Sequence, residues 1–333
     1  MQTIIRQSVG IDIAKLSFTA CICRSYSDSR LELSEVLKFE NTRPGFNQLL
    51  KWVRKQVKVV PKACFVMEAT GIYYEPLAYH LIKLKQSVSV LLPNMLKHYA
   101  KSLNIKSKTD IIDANIIARM GAERVLPLWQ PPAPIFKDLR DLTRLYTDLK
   151  GQRTAFVNRL KSIQCGNEPL AFIVESTRSI ISKLDKEIKK CEAQIQELLN
   201  KEKWLQDKVK KLQTIKGVGL ITIAIILAET QGFRLINNSK QLTSYAGYDI
   251  VEKESGSSIK GKTKISKKGN GRIRAALYFP ALVASRHNQR LKAVYIRINE
   301  KKTSKMVGAT ALQRKILVLI YSLWKNNTEY EEG

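Results

Sequence analysis

Short apolar stretches alternate with amphipathic stretches over residues 1–125, and their order restricts the possible folds more than any other feature. Apolar residues at helical spacing predict four helices, at 44–55, 72–85, 95–104 and 109–124. Alternating and continuous apolar runs predict five strands, at 7–14, 17–23, 31–39, 63–68 and 88–92. Three strands followed by helix, strand, helix and strand predict an α/β domain with a mixed sheet.

A different pattern begins after the segment 126–135, whose four prolines predict a linker. Residues 136–165 and 169–212 are amphipathic and predict two long helices. Apolar residues recur along the second helix with 4-3 spacing, at Leu184, Ile188, Cys191, Ile195, Leu198, Leu205, Val209 and Leu212. This spacing predicts a coiled coil within 136–211, formed inside one chain or between subunits, with Glu202 interrupting its apolar seam.

Residues 212–326 predict a mainly helical C-terminal domain, followed by a disordered tail at 327–333. The turn at 215–219 joins two predicted helices and resembles a helix-hairpin-helix, although a plain interhelical turn explains it equally well. Segment 251–274 carries eight lysines and arginines against two glutamates, and its glycines and serines argue against a fixed packed element. Two further helices are predicted at 275–285 and 308–325.

The charge balance of the chain predicts a polyanionic partner. Lysine and arginine number 57 against 29 acidic residues, which gives a net charge of +28 over 333 residues. The longest apolar run, Val218–Ala228, is shorter than the roughly 20 residues of a membrane span. The N-terminus lacks a signal-peptide layout, and the five cysteines lack zinc-site spacing. Nucleic acid is therefore the expected partner, and a membrane is not.

Two aspartates stand three residues apart in a predicted helix. Asp110 and Asp113 project from one helix face, one turn apart, where two like charges repel each other. Lys106 and Lys108 can compensate for that repulsion, and a divalent cation compensates more strongly because hard cations prefer clustered carboxylate oxygens. A solvated acidic turn at a helix start is the plain alternative.

Two more acids occur on predicted strands. Asp12 interrupts the apolar run of the first strand, where a charge is costly unless it faces an edge or a cation. Glu68 ends the fourth strand. The predicted order of strands and helices is the one used by ribonuclease-H-like folds, in which the fourth strand lies beside the first. With Asp110 and Asp113 these two acids can hold two divalent ions, and the all-oxygen set predicts magnesium or manganese. A Gly-Ile-Asp strand also opens actin-like ATPases, but their later glycine-rich phosphate loops are absent here.

Five sequence blocks resemble, in order and spacing, the DEDD transposases of the insertion sequence 110 family, whose relatives include Piv-type DNA invertases. The blocks are GIDIAK (10–15), MEATGIYYEPLA (67–78), LPNMLKHYAKSLNIKSKTDIIDANIIA (92–118), LQTIKGVGLITIAIILAE (212–229) and QLTSYAGYDIVEKESGSSIKGKTKISKKGNGRIR (241–274). The resemblance implies a RuvC-like N-terminal domain over 1–125, with Asp12, Glu68, Asp110 and Asp113 as catalytic metal ligands.

The same resemblance implies a serine nucleophile in the C-terminal domain, following the A-G-x motif. That motif is 246–248 here, and the nucleophile is Ser255; Asp249 and Ile250 replace the proline that commonly follows the motif. Family members form a covalent phosphoserine link to DNA, are guided by a structured bridge RNA and assemble as dimers and tetramers on donor and target DNA. The resemblance therefore also implies a cytoplasmic, nucleoid-associated protein of a bacterium or archaeon.

The residues around Ser255 allow the same chemistry but leave alternatives open. A serine hydroxyl needs a base or a metal to become nucleophilic, and no histidine is near in the sequence. Ser257 and Ser258 compete with Ser255, and all three suit a flexible polar loop. Nearby cations predict contacts to the nucleic-acid backbone, with a solvated face as the alternative, at Lys253, Lys260, Lys262, Lys264, Lys267, Lys268, Arg272 and Arg274.

Taken together, these features predict an insertion-sequence transposase that cuts and rejoins DNA through phosphoserine, with bridge RNA as guide and a divalent metal as cofactor. Three alternatives remain open at this stage. One is a RuvC-like junction nuclease in which water attacks. Another is a site-specific DNA invertase that needs no RNA guide. The last is a nucleic-acid-binding scaffold whose acids no longer catalyse.

Overall fold

A computed structural model describes residues 3–57, 62–69, 71–107, 109–234, 236–252, 254–255, 259–260, 263–300, 302 and 304–331. For residues 254–255 and 259–260 it describes the backbone. The chain divides into two compact units, Met1–Pro131 and Pro132–Gly333, and each has its own core.

The first unit is an α/β domain, as its sequence predicts. Its strands are β1 (Ile4–Ile13), β2 (Ser17–Tyr26), β3 (Leu31–Leu33), β4 (Leu37–Glu40), β5 (Cys64–Glu68) and β6 (Val88–Leu91). Its helices are α1 (Arg43–Gln56), α2 (Glu75–Lys83), α3 (Pro93–Ser102) and α4 (Asp110–Glu123). The strand order is β3-β2-β1-β5-β6, with β4 also paired to β2. Pairs among β1 to β4 are antiparallel and those from β1 through β5 to β6 are parallel, so the predicted mixed sheet is confirmed.

Helices cover both faces of this sheet. On one face, Phe46 and Leu49 of α1 and Leu77 and Leu81 of α2 pack against buried side chains of β1 and β2. On the other face, small residues of α4 pack against two cysteines of β2. Helix α3 packs against α4 on that second face. The sheet is therefore the middle layer of three, and α4 lies over its central strands.

The predicted strand 31–39 is wrong as a single element, because the chain leaves the sheet between β3 and β4. At this break the Ser34 hydroxyl accepts a hydrogen bond from the backbone nitrogen of Ile22 at 2.9 Å, and the Ser34 backbone nitrogen donates to the Ile22 carbonyl at 2.8 Å. A serine side chain thus replaces one bond of the strand ladder. Both short strands still pair with β2.

The second unit is mainly helical, as its sequence predicts. Its helices are α5 (Pro134–Gln164), α6 (Ala171–Asn200), α7 (Lys203–Gln213), α8 (Leu220–Thr230), α9 (Ser239–Tyr245), α10 (Gly271–Ala276), α11 (Tyr278–His287), α12 (Gln289–Asn299) and α13 (Met306–Asn326). Its strands are β7 (Ile250–Val251), β8 (Glu254–Ser255), β9 (Ile259–Lys260) and β10 (Lys264–Ile265). Helix α12 has no counterpart among the predicted elements.

The two long helices α5 and α6 pack along each other as a hairpin. The predicted second helix, 169–212, is interrupted: α6 ends at Asn200 and α7 begins at Lys203. Glu202 is the N-terminal cap of α7 and has an extended backbone, with φ −114° and ψ 118°. The polar residue that interrupts the apolar spacing therefore coincides with the break between the helices.

A single core joins the helices of this unit, with α8 and α13 contributing fully buried leucines and isoleucines. Within the described part of the chain, α13 alone has the length and hydropathy of a membrane span. Its Leu312, Ile316, Leu317 and Ile320 are completely buried in the core, which accounts for that composition. The tail is also packed in part, because Tyr330 accepts a hydrogen bond from Asn288 at 2.8 Å. The expectation of a fully disordered tail is therefore wrong at Tyr330.

The basic segment 251–274 has more regular structure than its composition predicts. Strand β7 pairs with β10 and β8 pairs with β9, both antiparallel, so the chain runs out and back as two short ladders. Helix α10 then begins at Gly271, inside the segment, and is capped by the side chain of Asn270. Glycine and serine do not prevent this arrangement because its bonds come from the backbone.

Candidate active site

Asp12 and Glu68 lie at the same edge of the sheet on neighbouring strands. The parallel register of β1 and β5 runs from Ser8↔Cys64 to Ile11↔Met67, and Asp12 and Glu68 are the next residue on each strand. The prediction that the strand ending at Glu68 lies beside the first strand is therefore confirmed. Because side chains alternate along a strand, Asp12 lies on the same face of the sheet as Gly10, and Glu68 lies on the same face as Val66. Gly10 and Val66 are partners in this register, so all four residues lie on one face of the sheet.

That shared face is the one that α4 covers. A Cβ atom built on Gly10 meets the backbone of Ala114 and Ala118, and one built on Gly121 comes within 2.7 Å of Val66 Cγ2. Gly10 therefore lets the backbone of α4 lie almost directly on that of β1, and Gly121 leaves room for the side chains of Ser8 and Val66. Asp12 and Glu68 consequently lie under the helix that carries Asp110 and Asp113.

The first turn of α4 is held in place by two threonines. The Thr109 hydroxyl caps the helix by accepting from the Ile112 backbone nitrogen at 3.2 Å. The Thr19 hydroxyl donates to the carbonyl oxygen of Asp110 at 3.1 Å. Thr19 is the cross-strand neighbour of Asp12, so this bond connects the start of α4 to the strand pair that carries Asp12. Asp110 is exposed, whereas Asp12, Glu68 and Asp113 are half-buried.

Glu68 and Asp113 open into one cleft of about 500 Å³. Within the described residues, no three histidine, cysteine, aspartate or glutamate side chains come together as a ready-made metal site. The donor chemistry nevertheless fits magnesium, which commonly keeps several waters and uses one or two carboxylates together with substrate phosphates. Of the four predicted ligands, the structure brings Glu68 and Asp113 to one cleft, while Asp12 lies on the strand beside Glu68 and Asp110 begins α4.

The predicted nucleophile lies in the second unit. Ser255 is in β8, where its backbone pairs with Ile259, and its side chain is outside the described atoms. Ser257 and Ser258 are outside the described residues, as are Lys253 and Lys262. Lys260 is described by its backbone in β9. The exposed side chains among the predicted basic set are Lys264, Lys267 and Lys268.

Arg274 has a contact inside the fold. Its Nη1 donates to the Ala246 carbonyl at 2.7 Å, within the A-G-x motif. Gly247 has a φ of +74° and approaches the backbone of Lys267, while a Cβ atom on Gly269 comes within 2.4 Å of the Gly247 nitrogen. Arg274 and these two glycines therefore hold the A-G-x motif against the base of the basic segment.

Glu229 is the buried centre of this region, and sequence reasoning does not identify it. Its carboxylate accepts two hydrogen bonds from Arg144, at 2.9 and 3.1 Å, and one from Asn270 Nδ2 at 2.7 Å. Arg272 Nε lies 4.0 Å from the same carboxylate, and the Tyr245 hydroxyl donates to the Glu229 carbonyl at 2.7 Å. Burial alone raises the pKa of Glu229, but the bonds from Arg144 and Asn270 lower it below the usual value.

The position of Glu229 gives one sequence signal, an acid at the end of an otherwise apolar helix. Its partner Arg144 is 85 residues away, and no spacing rule connects them. The side-chain nitrogens of Asn270 and Arg272 reach the carboxylate from the end of the basic segment. Arg272 and Arg274, both predicted to contact the nucleic-acid backbone, therefore also make contacts within the protein, with Glu229 and with Ala246 respectively.

Two family models match this chain. A model for DEDD transposases of the IS110 type, described as “Transposase”, matches residues 9–163, which include all four acids. A model described as “Transposase IS116/IS110/IS902 family” matches residues 209–296, which include Glu229 and Ser255. The two models together cover most of the first unit and much of the second.

Individual proteins are similar to this chain over most of its length. The chain is 31% identical to the pilin gene-inverting protein of Moraxella bovis over 327 residues, covering 97% of each protein. It is also 31% identical to the pilin gene-inverting protein of Moraxella lacunata, again over 97% of each. It is 23% identical to the transposase for insertion sequence element IS1111A of Coxiella burnetii, covering 81% of this chain and 80% of that protein.

Proposed function

The chain belongs to the IS116/IS110/IS902 family of transposases and is a DNA transposase or recombinase, and we propose that it cuts and rejoins DNA through a phosphoserine intermediate on Ser255. The observation that supports a catalytic role for the first unit most strongly is the placement of Asp12 and Glu68 on adjacent strands beneath the start of α4. This is the arrangement expected of a RuvC-like domain.

We propose that Asp12, Glu68, Asp110 and Asp113 hold magnesium or manganese. Such an ion supplies Lewis-acid stabilisation of the charge that develops on phosphate oxygens. The protein's own contribution is positional: Thr19 and Thr109 fix the start of α4, and the close packing at Gly10 fixes its distance from the strands. Preorganised positions of this kind stabilise a transition state because no reorganisation accompanies the reaction.

The proposed reaction exchanges one phosphodiester for another. The Ser255 oxygen forms a bond to phosphorus as a bridging P–O bond of DNA breaks, and the departing DNA hydroxyl gains a proton while the serine loses one. Attack by a hydroxyl of a second DNA end then restores a DNA phosphodiester and returns the proton to serine. No ATP is needed because the phosphodiester energy is kept in the phosphoserine bond.

The proposed partners are donor and target DNA, a structured bridge RNA and further copies of this chain. Contacts to the nucleic-acid backbone suit the exposed Lys264, Lys267 and Lys268, and the backbone nitrogen of Lys267 donates to the Gly247 carbonyl of the A-G-x motif at 3.1 Å. The α5–α6 hairpin is the proposed coiled-coil contact between subunits in a dimer or tetramer. With RNA and DNA pairing bases, the protein reads mainly shape and phosphate. A cytoplasmic, nucleoid-associated location agrees with these partners.

Site-specific DNA inversion is the second candidate, because two relatives at 31% identity over 97% of their length are pilin gene-inverting proteins. Both candidates share cleavage and rejoining, and they differ in the arrangement of the DNA sites and in the need for RNA. Recombination of two sites on one plasmid without added RNA would favour inversion. A requirement for RNA would favour guided transposition.

A covalent trap on a denaturing gel tests the proposed chemistry. The protein is incubated with magnesium, donor and target DNA, and a candidate bridge RNA from the sequence that flanks its gene. The Ser255→Ala and Asp12→Ala variants are treated in parallel. A protein–DNA adduct that survives denaturant and is lost in both variants is the expected result. Nicked DNA without an adduct, still produced by Ser255→Ala, would instead identify a nuclease in which water attacks.

A further inference from the structure

The cleft of about 500 Å³ in the first unit combines two kinds of charge. Glu68 and Asp113 line it together with three lysines, Lys97, Lys101 and Lys106. Its volume falls in the range of about 300–1,000 Å³ that is usual for ligand sites. A carboxylate pair alone repels a phosphodiester, so the lysines change which ligands the cleft can accept.

The three lysines are not engaged by acids of the described chain. All three are exposed, and none forms an ion pair with a carboxylate that the structure describes. Lys97 and Lys101 are four residues apart on α3, so they project from one face of the helix at successive turns. Lysine pairs at this spacing repel each other, which a bound anion relieves.

Helix α3 is firmly attached to the helix that carries two of the acids. Leu96 and Tyr99 of α3 are buried against Ile116 and Ile117 of α4. The Tyr99 hydroxyl donates to the Glu123 carboxylate of α4 at 2.7 Å. The lysine row therefore keeps a fixed position relative to α4, as a group that positions substrate must.

We infer that Lys97, Lys101 and Lys106 bind phosphates of the DNA strand being cut, in the cleft that Glu68 and Asp113 also line. The lysines offset the repulsion between the carboxylates and the strand and align it along α3. They are positioning residues, since their ammonium groups bind the strand and do not exchange protons with it. This inference rests on the proposed function, because the strand concerned is the one that the protein cleaves.

Lysine footprinting tests the contact without depending on cleavage. The full-length protein is acetylated alone, with a short DNA duplex and with an RNA duplex of the same sequence, in magnesium buffer at moderate salt. Lys97, Lys101 and Lys106 are expected to be several-fold less reactive with DNA, while Lys51 and Lys55 keep their reactivity. Lys51 and Lys55 are a matched control, an exposed pair with the same spacing on α1, away from this cleft.

Two footprinting results would overturn the inference. One is equal reactivity of the three cleft lysines with and without DNA, under conditions where the protein is saturated. The other is protection by RNA alone, which would assign the cleft to RNA. Neither result depends on whether the protein cuts DNA, so failure here is distinguishable from failure of the proposed function.

Cleavage kinetics give the second measurement. Lys97→Ala with Lys101→Ala is expected to raise the DNA concentration for half-maximal cleavage on the order of tenfold and to reduce its salt slope by about two, with little change in the maximal rate. Lys51→Ala with Lys55→Ala is expected to match the wild type within about twofold. Arginine at positions 97 and 101 is expected to restore most of the loss because it keeps the charge. Loss that arginine does not restore would mean a structural role instead.

Discussion

A Cβ atom on Gly10 would stand 2.0 Å from the backbone nitrogen of Ala118, so strand β1 and helix α4 are in contact at that point through their backbones. This contact sets the height of α4 above the strands that carry Asp12 and Glu68. It also sets the position of Asp110 and Asp113 relative to these strands, since both residues lie in the first turn of α4.

Gly10→Ala is therefore expected to damage both stability and catalysis. Its methyl group meets backbone that cannot rotate away, and overpacking of this kind typically costs about 1–3 kcal/mol. A displacement of about 1 Å at the acids lowers cleavage on the order of 100-fold. Urea unfolding and DNA cleavage measure the two effects.

The control for this variant is Gly151→Ala, within α5. A Cβ atom at Gly151 meets nothing within 4 Å. Alanine is better than glycine in a helix by about 0.5–1 kcal/mol, so this variant is expected to be slightly more stable and fully active. A wild-type cleavage rate in Gly10→Ala would contradict the role assigned to the close contact.

Glu229→Gln is expected to loosen the base of the basic segment. The variant keeps the size of the side chain but removes the charge that accepts from Arg144 and Asn270, with a loss of about 1–3 kcal/mol in the free energy of unfolding. Because the fold lowers the pKa of Glu229, its ionised form contributes stability above the usual value of 4.5, and this contribution is lost as the pH falls below 4.5.

Urea unfolding of wild type and Glu229→Gln over a pH series checks this prediction. The difference between the two free energies is expected to be largest near neutral pH and to shrink as the pH falls below 4.5. Glu197→Gln, at an exposed position on α6, serves as the control with no expected difference. A Glu229→Gln difference that does not change with pH would show that the charge contributes nothing.

DNA binding is expected to weaken steeply as salt rises. The net charge of +28 implies many phosphate contacts, and each one contributes about −0.9 to the slope of log K against log salt concentration. Binding isotherms at several salt concentrations give this slope directly. A flat response would mean that the excess of lysine and arginine does not serve backbone contact.

The sequence predicts the first unit well because its signals are local. Apolar runs predict β1 and β5, and the positions of Asp12 and Glu68 near the ends of these two strands follow from them. Local signals fail where one side chain replaces a backbone bond. Ser34 ends β3 in this way, although the apolar pattern continues beyond it.

Contacts between distant residues are the part that the sequence does not reveal. Glu229 and Arg144 are joined by tertiary folding across 85 residues, and either residue alone is an ordinary charged side chain. The cleft lysines are of the same kind. In the sequence, the spacing of Lys97 and Lys101 indicates only a solvated helix face. The packing of α3 on α4 places both lysines at the cleft that Glu68 also lines.

Asp110→Ala is expected to abolish strand cleavage while leaving folding and DNA binding intact. Asp110 is exposed, and Thr109 still caps α4 without it, so the free energy of unfolding is expected to change by less than about 0.5 kcal/mol. Asp138→Ala, an exposed aspartate near the start of α5, is the matched control and is expected to cleave normally. Cleavage, urea unfolding and filter binding are measured on both variants. Normal cleavage by Asp110→Ala would remove Asp110 from the catalytic set, whereas loss of binding would mean that it acts on the DNA contact instead.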